Sequence, residues 1–369
     1  MRGIVFDGRS LGLVEGLELR EPGPGEVEIE ILASGVCHSD LSVVNGTIPF
    51  PTPVVLGHEG AGIVARCGEG VTSLAVGDPV ALATLGQCGA CPACDSGRPT
   101  LCRETFGKRP QPFRLRGVPH YNFANLSTFA ERIVVKANQA IRIPSELPFA
   151  SAALIGCGVL TGTGAVFHRA RVAPGDSVAV VGAGGVGLNV VQAARIAGAH
   201  PILVLDTNRE REALARRLGA TDFLDPRDEA DVVAAVKART GGWGARHVFE
   251  CVGAKPTMED AIRMVDWGGN AVLLGVPSAE TRVEFLPAAT FLDITIMGCR
   301  YGSSQPQADV RRICELYLAK RLELDALVSR RYALADFEQL IEDMQAGRIA
   351  RGVLEMPRAR EAASARSQA

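Results

Sequence analysis

A glycine-rich turn between a strand pattern and a helix pattern constrains the fold of this chain most. Residues 176–206 read as an apolar, β-branched strand, the turn Gly182-Ala-Gly184-Gly-Val-Gly187, a helical stretch and a second apolar strand that ends at Asp206. A G-x-G-x-x-G turn in that context, with an acidic residue about twenty positions later, is typical of a dinucleotide-binding βαβ unit. Strand and helix patterns keep alternating after it, which predicts a doubly wound parallel sheet.

The chemistry of this turn predicts the nucleotide contacts. Glycines let the backbone approach a pyrophosphate, and the helix N-terminus offers N–H groups and partial positive charge to it. Asp206 is expected to accept from the adenosine ribose hydroxyls and to repel a 2′-phosphate, by roughly 4 kcal/mol at about 4 Å and an effective dielectric near 20. NAD is therefore expected rather than NADP, although Arg209 and Arg211 lie nearby in the sequence. The turn residues expected at the cofactor are Gly182, Gly184, Gly185, Val186 and Gly187.

A second stretch, from Cys37 to Glu59, has the chemistry of a metal site. Its prolines discourage helix, so the loop can bring Cys37 and His58 to one ion. Sulfur and nitrogen ligands suit zinc, and a catalytic zinc keeps three protein ligands and one open position. Cys157, in the run LIGCGVLTGTG, is the best candidate for the third ligand. The alternative is that a lone Cys or His merely fills the core, but the sequence Gly-His-Glu-Gly is poor core material.

Four further cysteines predict a second, closed metal site. Within residues 86–102 they follow the spacing C-x2-C-x2-C-x7-C, as Cys88, Cys91, Cys94 and Cys102. Four thiolates fill a tetrahedral zinc, so this site is expected to be structural. Disulfides are the alternative, and a reducing compartment disfavours them. The other alternative is a nucleic-acid-binding zinc ribbon, but the segment lacks the neighbouring basic residues that such a module would need.

Composition narrows the class of protein. With 369 residues, of which 47% are hydrophobic, the chain can bury more than one core, so two domains are expected. A net charge of −2 argues against nucleic acid or an anionic membrane as the main partner. The start lacks a signal-peptide pattern and no apolar run is long enough for a membrane helix, so a cytoplasmic location is expected. A basic run at residues 106–118 receives no catalytic role.

Together these motifs resemble the zinc-dependent medium-chain alcohol dehydrogenase family, and most of all its branch of aryl and benzyl alcohol dehydrogenases. The segments that carry the resemblance are CHSD, GHEGAGIV, the four-cysteine lobe, GCGVLTGTG, GAGGVG and AGRIARGVL. The resemblance implies a GroES-like, mostly β catalytic domain at residues 1–158 and 302–354, with the structural zinc lobe at 86–102. It also implies a Rossmann NAD-binding domain at residues 159–301. Residues 355–369 are predicted to be a disordered tail.

The resemblance also implies roles for single residues. Cys37, His58 and Cys157 would hold the catalytic zinc. Glu59 would lie behind the metal, Asp40 would orient the His58 ring, and Ser39 would bond the alcohol oxygen and begin the proton relay. The residues expected at the cofactor are His38 and Arg351 near the pyrophosphate, Thr161 against the nicotinamide and Arg211 near the ribose.

One position departs from the best-known members of that family, and a second departs from a related class. Ser42 stands where a histidine ends the proton relay, and Ile48 stands where glutathione-dependent formaldehyde dehydrogenases carry an acidic residue. An apolar alcohol pocket is therefore expected, with Ile48, Thr84 and Phe123 as its lining. The expected reaction interconverts a primary, apolar or aromatic alcohol and its aldehyde with NAD, in a homodimer or homotetramer. The alternatives are a thiol-dependent formaldehyde dehydrogenase and a non-catalytic, zinc-stabilised dinucleotide-binding protein.

Overall fold

The computed structural model describes residues 1–357, and the chain divides into two units. Of the described residues, one unit contains 1–157, 305–320 and 324–357, and the other contains 158–304 and 321–323. No helix among residues 1–357 is long and apolar enough to cross a membrane. The tail predicted to be disordered begins at Glu355, but Glu355 is the last residue of a strand that starts at Gly352. Residues 358–369 of that tail lie outside the described part of the chain.

The first unit consists mainly of two β-sheets. One has the order β2-β1-β5-β9-β8-β3, and the other has the order β11-β7-β6-β4-β19-β18 with β10 also paired to β4. Most pairs are antiparallel, which agrees with the mostly β domain that the resemblance implies. The strands are β1 Gly3–Phe6, β2 Leu11–Val14, β3 Glu18–Leu19, β4 Glu26–Gly35, β5 Val54–Val55, β6 Glu59–Cys67, β7 Pro79–Leu82, β8 Phe113–Leu115, β9 Val118–Asn122, β10 Arg132–Lys136, β11 Ala140–Arg142, β18 Arg330–Ala333 and β19 Gly352–Glu355.

The second unit is a six-stranded sheet in which every neighbouring pair is parallel. Its order is β14-β13-β12-β15-β16-β17, which is the order 3-2-1-4-5-6 of a dinucleotide-binding fold. The doubly wound sheet predicted from the sequence is confirmed. Its strands are β12 Val178–Val181, β13 Ile202–Leu205, β14 Asp222–Leu224, β15 Ala245–Glu250, β16 Val265–Leu273 and β17 Thr295–Gly298.

The helices follow the amphipathic and glycine-terminated stretches of the sequence. The longest in the second unit begins at Gly185 and ends before Gly198, whose φ of +83° suits only glycine without strain. The helices are α1 His38–Val44, α2 Pro92–Asp95, α3 Phe149–Ala153, α4 Leu160–Gly164, α5 Gly185–Ala197, α6 Glu212–Leu218, α7 Val232–Arg239, α8 Lys255–Arg263, α9 Pro306–Leu318 and α10 Phe337–Gln345.

Strand pairing in the first unit brings together residues that are far apart in the sequence. Gly35, the last residue of β4, pairs with Glu59, the first residue of β6, and also with Val353 of β19. The residues just outside these strand ends therefore meet at one edge of the sheet. Those residues are Cys37, His58 and Arg351.

A close approach between two backbone segments also brings Cys157 to this edge of the sheet. Helix α3 packs against β4, β6 and β7, and the chain then passes so near the end of β7 that a Cβ on Gly156 would lie 1.7 Å from the carbonyl oxygen of Leu82. Only glycine fits there. Cys157 follows directly, in a π-helical turn at Ile155–Val159, a backbone form that is frequent at functional sites.

The contact between β4 and β6 gives a test of this arrangement. A Cβ on Gly62 would lie 2.0 Å from the carbonyl oxygen of Glu30, so Gly62→Ala must push the two strands apart. We expect this variant to lose about 1–3 kcal/mol of unfolding free energy, as over-packed sites do. Thermal and urea unfolding would measure the loss.

Gly12→Ala is the matched control, because Gly12 also lies in a strand of this unit and an added Cβ would meet nothing within 4 Å. It should change stability by less than about 0.5 kcal/mol. Equal stabilities of the two variants would contradict the described β4–β6 contact.

Candidate functional site

Four potential metal ligands form one cluster in the first unit. One ligand atom from each of Cys37, His58, Glu59 and Cys157 lies within 4.8 Å of every other. His58 and Cys157 are buried, Glu59 is completely buried, and Cys37 is half-buried. Two sulfurs and one imidazole are a donor set that suits zinc. The structure thus brings together the three residues that the sequence nominated as ligands.

The carboxylate of Asp40 connects the segments that carry two of these donors. Its Oδ2 accepts from the backbone N–H of Cys37 at 3.1 Å, which caps helix α1. Its Oδ1 accepts from the backbone N–H of Gly57 and lies 3.0 Å from Nδ1 of His58. Because Nδ1 is engaged, Nε2 of His58 remains for a metal, which is how metal-bound histidines are usually held.

The electrostatics of the cluster favour one thiolate, at Cys37. The hydrogen bond to Cys37 and burial raise the pKa of Cys157 well above its usual value, and, although burial opposes it, the charge of Asp40 raises the pKa of His58. A hydrogen bond from Cys157 lowers the pKa of Cys37 well below its usual value, although burial opposes this, and the charges of Arg351 and His58 add to the effect. A thiolate is the form of cysteine that binds metal. The donor types and their spacing fit a zinc ion.

Glu59 forms a buried ion pair that the sequence did not predict. Nη1 of Arg351 lies 3.1 Å from Oε1 of Glu59 and donates to the carbonyl oxygen of Val36. Burial raises the pKa of Glu59 to about 7, and the charge of Arg351 opposes that rise. The resemblance placed Arg351 near the cofactor pyrophosphate, which stays a prediction; in the structure its guanidinium lies beside Glu59 of the metal-site cluster. Only the pairing of β19 with β4 reveals this, so no local pattern signalled it.

Ser39 and Ser42 lie on helix α1, and Ser39 lies beside the cluster. The hydroxyl of Ser39 lies 3.9 Å from Sγ of Cys37, and its side chain is partly exposed. Ser42 is also partly exposed, and its backbone carbonyl accepts from the N–H of Ile48. His38, at the start of the same helix, is exposed.

Of the three predicted pocket residues, two lie next to the cluster. The ring of Phe123 meets the ring of His58 edge to face, with centroids 5.5 Å apart. The hydroxyl of Thr84 donates to the carbonyl oxygen of Gly156, directly before Cys157. Ile48 is partly buried and packs against the hydrophobic core of the unit.

The four-cysteine lobe forms the second cluster. One sulfur from each of the four cysteines lies within 4.8 Å of every other, and Sγ of Cys94 is 3.6 Å from that of Cys91 and 3.9 Å from that of Cys88. Helix α2 begins directly after Cys91, so its first turn places Cys94 beside Cys91. All ten cysteines are free thiols, so the disulfide alternative is not formed. Four thiols at this spacing fit a closed zinc site.

In the second unit, the glycine turn has the geometry that binds a pyrophosphate. Gly182 follows β12 with a φ of +95°, and a Cβ on Gly187 would lie 1.8 Å from the carbonyl oxygen of Gly182. An added Cβ on Gly184 would meet no atom, so its backbone is open to a ligand at the start of α5. Gly185, Val186 and Gly187 form the first turn of that helix, where N–H groups are free to bind an anion.

Asp206 is buried at the end of β13 and holds the same turn. Its Oδ2 accepts from the backbone N–H of Ala183 at 2.7 Å, and its Oδ1 accepts from the N–H of Asn208. Arg211 lies 3.0 Å from Oδ2 and so offsets part of the negative charge of Asp206. Arg209 pairs instead with Asp225 and Asp228.

Two more residues of this unit bear on the cofactor site. Thr161 is buried in α4, where its carbonyl oxygen lies against Gly302. Glu250, which sequence reasoning missed, is completely buried and accepts from the N–H groups of Val252 and Gly253. Because Val252 lies against Gly182, this carboxylate supports the glycine turn. The sequence did contain a sign of this role, since Glu250 is the one acidic residue in the apolar run HVFECVG.

Two family descriptions match most of the chain. "Alcohol dehydrogenase GroES-like domain" matches residues 23–145, and "Zinc-binding dehydrogenase" matches residues 185–318. An S-(hydroxymethyl)glutathione dehydrogenase from a Synechocystis strain is 38% identical over 95% of this chain and 98% of its own length.

Solved structures agree with these matches. Benzyl alcohol dehydrogenase from Acinetobacter calcoaceticus has a TM-score of 0.90 and 31% identity, over 96% of this chain and 99% of its own. A zinc-binding dehydrogenase from Sinorhizobium meliloti, solved with NADP, has a TM-score of 0.80 and 29% identity, over 96% and 98%. Since these relatives are dehydrogenases, the chain is an oxidoreductase, and the non-catalytic alternative is wrong. The resemblance seen in the sequence is confirmed: the chain belongs to the zinc-dependent medium-chain alcohol dehydrogenase family.

Proposed function

We propose that this oxidoreductase interconverts a primary alcohol with an apolar or aromatic body and its aldehyde, using NAD. The observation that carries the proposal is the buried cluster of Cys37, His58 and Cys157, with the Ser39 hydroxyl 3.9 Å from a ligand sulfur. Three donors of this type leave a position for substrate, as in catalytic rather than structural zinc sites. The four-cysteine lobe would hold a second, structural zinc.

Each residue of the site has a separate role in the proposed reaction. Cys37, His58 and Cys157 would hold the metal, and Asp40 fixes the His58 ring. Zinc held there would supply a Lewis acid that lowers the pKa of an alcohol oxygen, and NAD would supply the hydride acceptor. Ser39 accepts the hydroxyl proton at Oγ and passes it on.

The proton leaves Ser39 by a route without the histidine of the best-known members. Ser42 occupies that position, and a serine hydroxyl does not titrate near neutral pH. Its side chain is partly exposed, so solvent and the cofactor ribose hydroxyls are the acceptors that the proposal assigns. His38 remains assigned to the cofactor side.

The surroundings of Asp206 support NAD. A carboxylate that accepts from Ala183 and Asn208 is fixed in place, and it would face the ribose hydroxyls. The ion pair with Arg211 weakens the repulsion of a 2′-phosphate, so the discrimination should be smaller than an isolated carboxylate would give. Arg209, held by two aspartates, is not available to attract the phosphate.

Two observations favour different substrates. Phe123 at the His58 ring and the apolar Ile48 favour an aromatic or apolar alcohol, as does the likeness to benzyl alcohol dehydrogenase. The sequence relatives named S-(hydroxymethyl)glutathione dehydrogenase, at 37–38% identity, favour the thiol-dependent alternative. That alternative is the second candidate function.

The proposal assigns catalysis to the first unit and nucleotide binding to the second. A homodimer or homotetramer fits the exposed side chains near β17, an edge strand of the parallel sheet. Leu286 is 79% exposed and Phe291 is 89% exposed, which is unusual for apolar residues of this size. Location in the cytoplasm stays a prediction.

Cys37→Ala should remove one metal ligand and lower kcat/KM by at least about a thousandfold, because a catalytic metal supplies several kcal/mol. Metal analysis should find two zinc ions per chain in the unchanged protein and one in the variant, while NAD binding measured by calorimetry stays within about twofold. Cys67→Ala is the control, since Cys67 lies outside both clusters. Full activity in Cys37→Ala that carries one zinc would refute the ligand assignment.

Asp206→Ala should weaken NAD and shift the ratio of kcat/KM for NAD over NADP by about 10- to 100-fold, since part of the carboxylate charge is already offset by Arg211. Steady-state kinetics with both cofactors would measure the shift. Asp222→Asn is the control, because Asp222 begins β14 at the opposite end of the parallel strands. An unchanged ratio in Asp206→Ala would exclude this residue as the ribose partner.

The substrate is decided by a panel of benzyl alcohol, short aliphatic alcohols and formaldehyde, with and without glutathione, followed by the absorbance of the reduced cofactor. We expect the highest kcat/KM for benzyl alcohol and no dependence on glutathione. If formaldehyde is oxidised only with glutathione, and better than benzyl alcohol, the second candidate function replaces the first.

A further inference from the structure

The ring of His58 is contacted from two directions by groups that are not metal ligands. Asp40 lies 3.0 Å from Nδ1 of the imidazole. The ring of Phe123 meets the imidazole edge to face, with centroids 5.5 Å apart and an angle of 87° between the planes. Because His58 is 2% exposed and Phe123 is 6% exposed, the contact lies inside the unit. The pocket-lining role predicted for Phe123 does not account for this contact.

A second aromatic ring packs behind Phe123. The centroid of Phe50 lies 5.3 Å from that of Phe123, with an angle of 82° between the rings. Phe50 is half-buried, and Cζ of Arg109 lies 4.6 Å from its ring centroid. Edge-to-face ring pairs and cation–π contacts are attractive beyond the apolar area that they bury. Phe50, Phe123 and His58 therefore form a continuous aromatic row that ends at the metal cluster.

The backbone directly after Phe123 has an unusual conformation. Ala124, Asn125 and Ser127 have φ values of +52°, +59° and +65°, although none of them is glycine. Left-handed backbone costs free energy at residues that carry a Cβ. Such residues cluster at functional sites, where the surrounding structure fixes them. The surroundings therefore hold this loop in one shape against its local preference.

The side chain of Ser127 supplies bonds that hold the loop. It is completely buried, and its hydroxyl accepts from the backbone N–H of Phe123 at 2.8 Å and donates to the carbonyl oxygen of Val55 at 2.7 Å. The backbone N–H of Thr128 then donates to the carbonyl oxygen of Gly57, directly before the metal-site histidine. The loop after Phe123 is therefore bonded to the same segment that carries the histidine.

We propose that Phe123 and Phe50 are positioning residues for the metal ligand His58, in addition to the pocket lining predicted for Phe123. The aromatic row limits rotation of the imidazole about the position that Asp40 sets. Less freedom is then lost when zinc binds, and zinc leaves the site more slowly. The inference rests on the proposed function, because it requires zinc at the cluster that contains His58.

The test compares zinc retention with alcohol turnover in the full-length, zinc-loaded protein. An excess of a colorimetric chelator follows zinc release, and the phase that is missing in Cys37→Ala belongs to the catalytic site. The constants kcat and KM are measured with NAD for ethanol and for benzyl alcohol. A residue that only lines the pocket should change KM for benzyl alcohol and leave zinc release unchanged.

Phe50→Leu removes the outer ring of the row and leaves Phe123 in place. We expect release of the catalytic zinc to be faster by about three- to tenfold, as the loss of one aromatic pair predicts. The value of kcat should fall for both alcohols alike, with KM unchanged. Phe50→Tyr keeps a ring at this position, so it should retain zinc as the unchanged protein does.

Ser127→Ala tests the loop without changing an aromatic ring. It removes the hydroxyl that joins the backbone of Phe123 to that of Val55. Zinc release should again be faster by about three- to tenfold, because a net hydrogen bond has a similar value. Phe123→Leu removes the central ring of the row, so it should release zinc fastest.

Phe6→Leu is the matched control. Phe6 is 8% exposed, belongs to the same hydrophobic core as Phe123 and lies in β1, where it pairs with Val54. Thermal melting should show a loss of stability comparable to that of Phe123→Leu, while zinc release stays unchanged. The comparison separates a local effect on the metal site from a general loss of stability.

Two results would overturn the inference. The first is zinc release that is equally fast in Phe6→Leu and in the variants of the aromatic row. The second is unchanged zinc release in both Phe50→Leu and Ser127→Ala, whatever the effect on KM for benzyl alcohol. Should Phe123→Leu fail to fold, these two variants still decide.

Failure of the proposed function has a different signature. A single zinc ion per chain in the unchanged protein would refute the proposed function and this inference together. Two zinc ions without turnover of any alcohol would refute the proposed function alone, because the comparison of zinc release among the variants would still decide the role of the aromatic row.

Discussion

The carboxylate of Asp40 holds two separate segments of the first unit at fixed distances from each other. Through one oxygen it caps helix α1 at Cys37, and through the other it binds the backbone before His58 and the ring of His58 itself. An Asp that is 1% exposed satisfies three donors, so its burial is compensated by charge-assisted bonds. The ligands thus have their mutual position before a metal binds, and less conformational freedom is lost on binding.

Close backbone packing completes the site around this carboxylate. Gly35 and Glu59 are paired across β4 and β6, and Gly156 lies against Leu82, so a side chain at either glycine would displace a ligand segment. The site is therefore set by strand register and small residues more than by the ligands themselves. In the second unit, Asp206 and Glu250 play a corresponding part, since each carboxylate binds backbone N–H groups in or beside the glycine turn.

The sequence predicted the parts of the fold that local patterns determine. The strand, glycine turn and helix of the second unit follow from periodicity and backbone freedom, and the four-cysteine lobe follows from spacing alone. The glycine-rich run around Cys157 made it the candidate third ligand, and the resemblance to a family supplied its role and the order of the two domains. The ion pair of Glu59 with Arg351 was missed because it depends on β19 pairing with β4, a contact between the two ends of the chain. The partners of Arg209 and Arg211 were also missed, because side chains close in sequence can point to different carboxylates.

The position of β19 in the chain has a consequence for biosynthesis. This strand brings Arg351 to the buried carboxylate of Glu59, and it is translated after the whole parallel-sheet unit. On the ribosome, residues 33–35 of β4 therefore stay unpaired on their β19 side until the second unit has been made, while β10 already covers residues 26–30 on that side. Cys37, His58 and Cys157 all precede the second unit in the chain, so the metal ligands are made before the arginine that pairs with Glu59.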